Sequence, residues 1–199
     1  MPAPAERFVT GLVLAAGGSR RLGRPKQLLP YRGGTLLAHT LETARACGFG
    51  QLVVALGGGA DAVRAGVDLA GADVAVNDAY GTGCSSSIAA ALGVLDPRCD
   101  ELVLLLGDQP GVGVATVRAL LDGRGDAPLA VCRYDDGRGH PFAFSRAVFG
   151  DLAALHGDKA VWKLLERRPG AVREVPVPGA VPLDVDTWED YEALLAGAA

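Results

Sequence analysis

Along the chain, nearly unbroken apolar runs alternate with stretches in which apolar residues recur every three or four positions. The runs are Phe8–Ala15, Gln51–Leu56, Ala72–Val76, Glu101–Leu106 and Leu129–Arg133. They are apolar at successive positions rather than alternate ones, as expected of strands covered on both faces. The intervening periodicity predicts helices over Thr35–Ala46, Asp61–Ala65, Ser85–Leu95 and Val114–Asp122. Thr35 is the expected N-cap of the first, with Leu36, Leu37, Thr40, Leu41 and Ala44 as its buried stripe. Strands separated by helices, joined by right-handed crossovers, predict an α/β chain with a doubly wound, mainly parallel sheet.

The rhythm changes after Arg133. Asp135-Asp136-Gly137 is a turn signal between two short extended stretches, predicting a small hairpin insertion in the C-terminal half. A helix is expected over Lys159–Arg167, stopped by Pro169. Val172–Val177 reads as extended, and Pro176, Pro178 and Pro182 break this region into edge-like pieces. Thr187–Leu195 is the last expected helix, with Thr187 and Asp190 as a capping box. Gly57-Gly58-Gly59 reads as the turn after the second strand. With no repeat and no linker, one domain is expected over residues 1–199.

Composition narrows the partners. Of 199 residues, 19 are Lys or Arg and 23 are Asp or Glu, for a formal charge of −4, and 49% are hydrophobic. That excludes a disordered chain and argues against nucleic acid, whose binders carry a basic excess. An anionic substrate therefore needs a local cluster of cations. Cys47, Cys84, Cys99 and Cys132 form no CxxC pair and have no His at zinc spacing, so reduced thiols are expected. No apolar run approaches the ~20 residues that span a bilayer. Met1–Arg7 lacks the architecture of a signal peptide. The expectation is a cytoplasmic protein with no membrane partner.

Open parallel sheets bind ligands beyond the carboxyl ends of their strands. The first such loop is Ala15-Ala16-Gly17-Gly18-Ser19, continuing through Arg20, Arg21 and Arg24 to Lys26. Its glycines admit a close ligand, and four cations in seven residues make either an anion site or a solvated basic loop. It is neither a P-loop nor a GxGxxG fingerprint. Asp108, in Gly107-Asp108-Gln109-Pro110 after the fourth strand, suits Mg²⁺ held against a triphosphate, or a turn cap. Asn77 to Ser87 offers its Ser and Gly residues to a base or ribose; Ser85 or a neighbour equally suits a helix cap. Asp184 and Asp186 share one face if extended. One of them completes a metal site with Asp108, or Asp186 caps the final helix. His140 stands in Gly139-His140-Pro141, structural or functional, and Trp162 and Trp188 are expected to pack in or against helices.

Taken as a whole, LAAGGSRRLGRPKQLLPYRGGTLL resembles the LAAGxSxRMGxxK signature of the MobA-like nucleotidyltransferases, with Leu22 where Met is usual. The resemblance continues in order. Asn77 with Gly83-Cys84-Ser85-Ser86-Ser87 is similar to a family segment, Gly107-Asp108-Gln109-Pro110 to its GDxP metal motif, and Gly139-His140-Pro141 to its GxP acceptor segment. Asp184-Val185-Asp186-Thr187 is similar to its DxDTxED ending. Molybdenum cofactor cytidylyltransferases are the nearest likeness, because the guanylyl branch carries LAGG where this chain reads Leu14-Ala15-Ala16-Gly17.

The resemblance implies a Rossmann-like fold and transfer of CMP from CTP to the phosphate of molybdopterin, releasing pyrophosphate. It implies Arg21, Lys26 and Asp108 as catalytic residues and Asp108 and Asp186 as ligands of Mg²⁺. Ala15, Ala16, Gly17, Gly18, Ser19, Gly83 and Ser86 would hold the nucleotide, and His140, Asp158 and Trp162 would lie on the acceptor side. A phosphorylated pterin is the implied acceptor, and a molybdenum hydroxylase or its maturation factor the implied protein partner. One departure falls on that side: Gly157-Asp158-Lys159-Ala160-Val161-Trp162 stands where the family often shows GDxGA followed by Arg or Lys. A Trp there suits a flat aromatic acceptor. Competing readings are transfer to another small phosphorylated acceptor such as methylerythritol phosphate or a sugar phosphate, an NAD(P)H-dependent oxidoreductase of the nicotine-blue type, and a non-enzymatic pterin carrier. No GxGxxG is present, and the two aspartates have no evident role in hydride transfer.

Overall fold

The structure is a computed structural model and describes residues 7–197. The signal-peptide reading of Met1–Arg7 therefore lies, apart from Arg7, outside the described residues. Each expected strand is present: β1 (Val9–Ala15), β4 (Gln51–Leu56), β5 (Asp73–Val76), β6 (Glu101–Leu106) and β7 (Leu129–Arg133). The extended stretches expected after Arg133 are strands as well, β8 (Arg138–Ser145) and β9 (Val172–Pro176). They form one seven-stranded sheet in the order β5-β4-β1-β6-β8-β7-β9. All neighbours are parallel except at β8, which runs antiparallel to both β6 and β7.

The double apolar character of the strands has a direct structural cause. In β4, Leu52, Val54 and Leu56 enter one core while Val53 and Ala55 enter the other; in β6, Val103 and Leu105 are opposed by Leu102 and Leu104. Helices cover both faces. The first core packs under α1 (Leu36–Ala46), α2 (Ala60–Gly66) and α4 (Val114–Arg124). The second packs under α3 (Cys84–Leu92), α5 (Phe149–Ala153) and α6 (Ala160–Arg167). Thr35 caps α1 as expected, its hydroxyl oxygen accepting the Ala38 N–H at 3.2 Å. Among the described residues, no helix is long and apolar enough to cross a membrane.

The expected hairpin is β7–β8, closed where the Tyr134 N–H donates to the Gly137 carbonyl at 2.8 Å. It is built into the main sheet, with Phe142 and Phe144 fully buried at its centre. β9 takes the edge, which suits a strand ending in Pro176. A third, smaller core joins Leu22, Leu29, Tyr31, Leu36 and Val185 to Tyr191 and Leu194 of α7 (Trp188–Gly197). It also involves a short hairpin, β2 (Pro30–Tyr31) and β3 (Gly34–Thr35), which no sequence signal predicted. This small core matters for the site. It fixes the loop after β1 and the segment before α7 to the same body.

Candidate active site

Three loops leave the carboxyl ends of β1, β6 and β5 and converge with residues from the C-terminal half. They enclose a cavity of about 430 Å³, within the range of small-molecule sites of roughly 300–1,000 Å³. The loop after β1 supplies Ala15, Ala16, Gly17, Gly18, Ser19, Arg20, Arg21 and Lys26 to its wall; Gly83, Asp108, Asp158 and Asp186 also line it. These twelve residues, separated from one another in sequence by up to 171 positions, thus share one wall. Ser86 is held apart from that wall by its own bonds. Its hydroxyl accepts from the Asn77 amide at 2.8 Å and donates within the loop, fixing the turn into α3. Ser85 does not cap α3 either: the Cys84 N–H is met by Asp158 Oδ1 at 3.1 Å.

The loop conformation follows from small residues and a single hydroxyl. Ser19 adopts φ +49° and its Oγ accepts the Lys26 N–H at 2.9 Å, drawing the loop into a closed turn. A non-glycine residue at positive φ is uncommon and clusters at functional sites. Leu22, 5% exposed, pins this turn into the third core. Gly83 has φ +115°, and any Cβ there would lie 2.4 Å from the Gly157 carbonyl carbon. Only glycine therefore allows the loop before α3 to meet the Gly157–Asp158 backbone.

Charge is concentrated at one end of the cavity. The Lys26 Nζ lies between two carboxylates, bonded to Asp108 Oδ2 and, at 2.7 Å, to Asp186 Oδ1. The second oxygen of Asp186 accepts from Arg21 at 2.9 Å. Burial opposes the charge on Lys26, but Asp108 and Asp186 outweigh it and hold its pKa above the usual lysine value. The hydrogen bond from Lys26 is the main cause of the lowered Asp186 pKa. Asp184 behaves differently: desolvation first, then the nearby Asp108 charge, raise its carboxyl to about 6.

The final aspartates are sorted by the residue between them. Val185 is fully buried in the third core, and its N–H donates to the Asp108 carbonyl at 3.1 Å. That ladder contact brings Asp186 to Asp108. Asp186 does not cap α7. Thr187 does, its Oγ1 accepting from the Asp190 N–H at 3.2 Å, while the Asp190 carboxylate accepts from the Asp186 and Thr187 N–H groups at 3.0 and 2.8 Å. The capping box is as expected, and it frees the Asp186 carboxylate to face Lys26 and Arg21.

The structure does not bring His140 and Trp162 to the cavity wall. They meet in an aromatic group, the His140 ring 4.4 Å from Phe142 and 6.4 Å from Trp162. Arg138 sits over Trp162 at 5.8 Å. Burial pushes the His140 imidazole down to about 3. Its pKa is depressed on folding, so the unfolded chain takes up a proton between about pH 6.5 and 3 that the folded chain does not. Stability from this group is whole above pH 6.5 and is lost as pH falls toward 3. In urea denaturation, His140→Phe should therefore lose less stability than the parent between pH 7 and pH 4; equal losses would contradict the assignment.

Two wall residues gave no sequence signal. Gln27 is 1% exposed, and its amide donates to the carbonyls of Ala15 at 2.7 Å and Gly17 at 3.1 Å, buttressing the glycine loop from beneath. Tyr80 is 39% exposed and stands against the same loop: a Cβ on Gly18 would lie 3.2 Å from its ring, and one on Gly58 2.8 Å. Both contacts depend on tertiary approach of β1, β4 and β5, which no local spacing encodes.

A family model for the MobA-like NTP transferase domain matches residues 11–172. Nicotine blue oxidoreductase from Paenarthrobacter nicotinovorans is 34% identical over 197 residues, 94% of this chain and 96% of that protein. Among solved structures, Rv0371c from Mycobacterium tuberculosis has a TM-score of 0.90 at 55% identity, covering 96% of this chain and 98% of that one. A structure of Rv0371c in complex with manganese gives a TM-score of 0.87 at 53% identity, covering 95% and 98%.

Proposed function

The chain belongs to the MobA-like NTP transferase family, and we propose that it transfers CMP from CTP to the terminal phosphate of molybdopterin, releasing pyrophosphate, as one domain over residues 1–199. The observation that carries this reading is the convergence of Arg21, Lys26, Asp108 and Asp186 at one end of a cavity whose wall is glycine-rich backbone. A triphosphate needs that pairing of cations with metal-binding carboxylates, and a hydride acceptor does not.

In this reading Gly17, Gly18 and Ser19 bring backbone N–H groups to the nucleotide. Arg21 and Lys26 neutralise the β- and γ-phosphates. An oxygen of the acceptor phosphate forms a bond to the α-phosphorus, and the bond from that phosphorus to the β-phosphate oxygen breaks. The acceptor is already anionic, so no general base is required, and positioning with charge stabilisation supplies the acceleration. Among the described residues, no group of three or more His, Cys, Asp or Glu is placed to hold a metal by itself. Two carboxylates completed by phosphate oxygens and water are the ordinary donor set of Mg²⁺, so Asp108 and Asp186 fit it. When bound, the metal supplies further neutralisation of the triphosphate.

Ala16 favours the smaller base. Its methyl lies in the cavity wall, where the guanylyl branch has no side chain. On the acceptor side, Asp158 links the cavity to the loop before α6; Trp162 and Arg138, with His140 packed beside them, lie off the cavity wall and would meet a phosphorylated pterin only where it extends beyond the cavity. A molybdenum hydroxylase or its maturation factor would receive the product. Another small phosphorylated acceptor would leave the nucleotide half unchanged. One observation favours a different reaction: the relative named nicotine blue oxidoreductase. That reading calls for NAD(P)H in this cavity.

Calorimetry with CTP, GTP, ATP and NADPH, each with and without Mg²⁺, separates these. The expected result is selective binding of CTP that requires Mg²⁺. Binding of NADPH without metal, and of no triphosphate, would sink the transferase reading.

A further inference from the structure

Resting on that reading, we infer that Lys26 is an internal counter-ion that keeps free divalent metal out of the Asp108–Asp186 pair until a triphosphate draws its ammonium away. The positions argue for it. Lys26 Nζ is bonded to one oxygen of each carboxylate, occupying the place between them that a shared cation takes. Asp186 has its other oxygen on Arg21. The Lys26 side chain is only 11% exposed, so the contact is not a loose surface pair. Arg21, by contrast, is 67% exposed and hydrogen-bonds Asp186.

A divalent ion arriving alone must displace the ammonium and leave it buried with no partner. A triphosphate changes that balance, because its oxygens offer Lys26 a replacement. Metal and nucleotide then help each other to bind, and the coupling is reciprocal. The sequence of events is metal with nucleotide rather than metal first, which spares the chain from holding an idle cation.

The test is binding of free Mn²⁺ without nucleotide, followed by loss of the free-ion signal in electron paramagnetic resonance. Wild type is compared with Lys26→Met, which keeps most of the length of the side chain without its charge, and with Arg21→Met, which removes an equal charge beside the same carboxylate. Loss of the ammonium should tighten Mn²⁺ by about tenfold or more, the size expected of a cation removed within ~4 Å of the ion. Arg21→Met should tighten it far less, because exposed pairs are weak. Adding Asp108→Asn to Lys26→Met should erase the gain. Equal gains in the two single variants would mean that general charge alone governs metal affinity and would overturn the inference; so would no gain in Lys26→Met. Failure of the proposed function shows separately, as absence of metal-dependent CTP binding by the wild type.

Discussion

Lys26→Met lowers kcat/KM for nucleotidyl transfer by about 10²–10³-fold, the loss typical when one preorganised stabiliser of developing charge is removed. The side chain is held by Asp108 and Asp186 in the free chain, and under the proposed function it would meet the phosphates in the loaded one. Its removal therefore strikes transfer while leaving the fold standing, since the third core holds the loop through Leu22. Steady-state pyrophosphate release measures the loss, and thermal melting checks the fold. The variant thus transfers poorly while binding free Mn²⁺ better, an opposition that a merely structural lysine does not produce. Full activity in Lys26→Met would remove the phosphate site from this loop.

The largest effect on stability falls far from the cavity. Glu101, 1% exposed at the start of β6, is bonded by both oxygens to Arg124 at the end of α4, at 2.5 and 2.9 Å. Arg124 is 4% exposed and also donates to the Ala127 carbonyl. Glu101→Gln leaves a buried guanidinium without its counter-charge, which costs about 3–5 kcal/mol. In a chain of this size that lowers Tm by roughly 10 °C, measurable by calorimetry. Replacing both partners by apolar residues, Glu101→Leu with Arg124→Met, should recover most of the loss, because a buried pair contributes little beyond a packed hydrophobic equivalent. A single variant that melts with the parent would show the pair to be dispensable.

The parallel half of the fold was legible because each of its strands is buried on both faces and so is written as a continuous apolar run. β8 was not. Its residues Arg138–Ser145 include Gly139 and Pro141, which argue against a central strand. The structure accommodates them by a break in register. Val131 pairs with Phe142 and Cys132 with Gly139, so His140 and Pro141 bulge out of the ladder and the missing proline N–H leaves no gap in it. The β2–β3 turn was hidden for a related reason: Arg32 takes φ +46° beside Gly33 at φ +83°, a turn usually signalled by Asn-Gly.

The charged end of the cavity was the more readable part of the site. Arg21, Lys26, Asp108 and Asp186 stand in motifs, and each motif follows a strand or precedes a helix. What could not be read was how they are used. Asp186 remained open between metal ligand and cap until Thr187, paired with Asp190, was seen to take the cap. The pairing of Lys26 with both carboxylates depends on Val185 being buried, a fact of packing rather than of spacing. Gln27 and Tyr80 serve the loop through contacts made only once the sheet has assembled.

The most direct test is to supply CTP, Mg²⁺ and molybdopterin together and to follow pyrophosphate and the nucleotide-bearing pterin by mass spectrometry. The account predicts one pyrophosphate for each CMP joined to the acceptor, dependent on Mg²⁺ and lost in Asp108→Asn. CTP binding with no pyrophosphate released in the presence of molybdopterin, under conditions where the fold is intact, would contradict it.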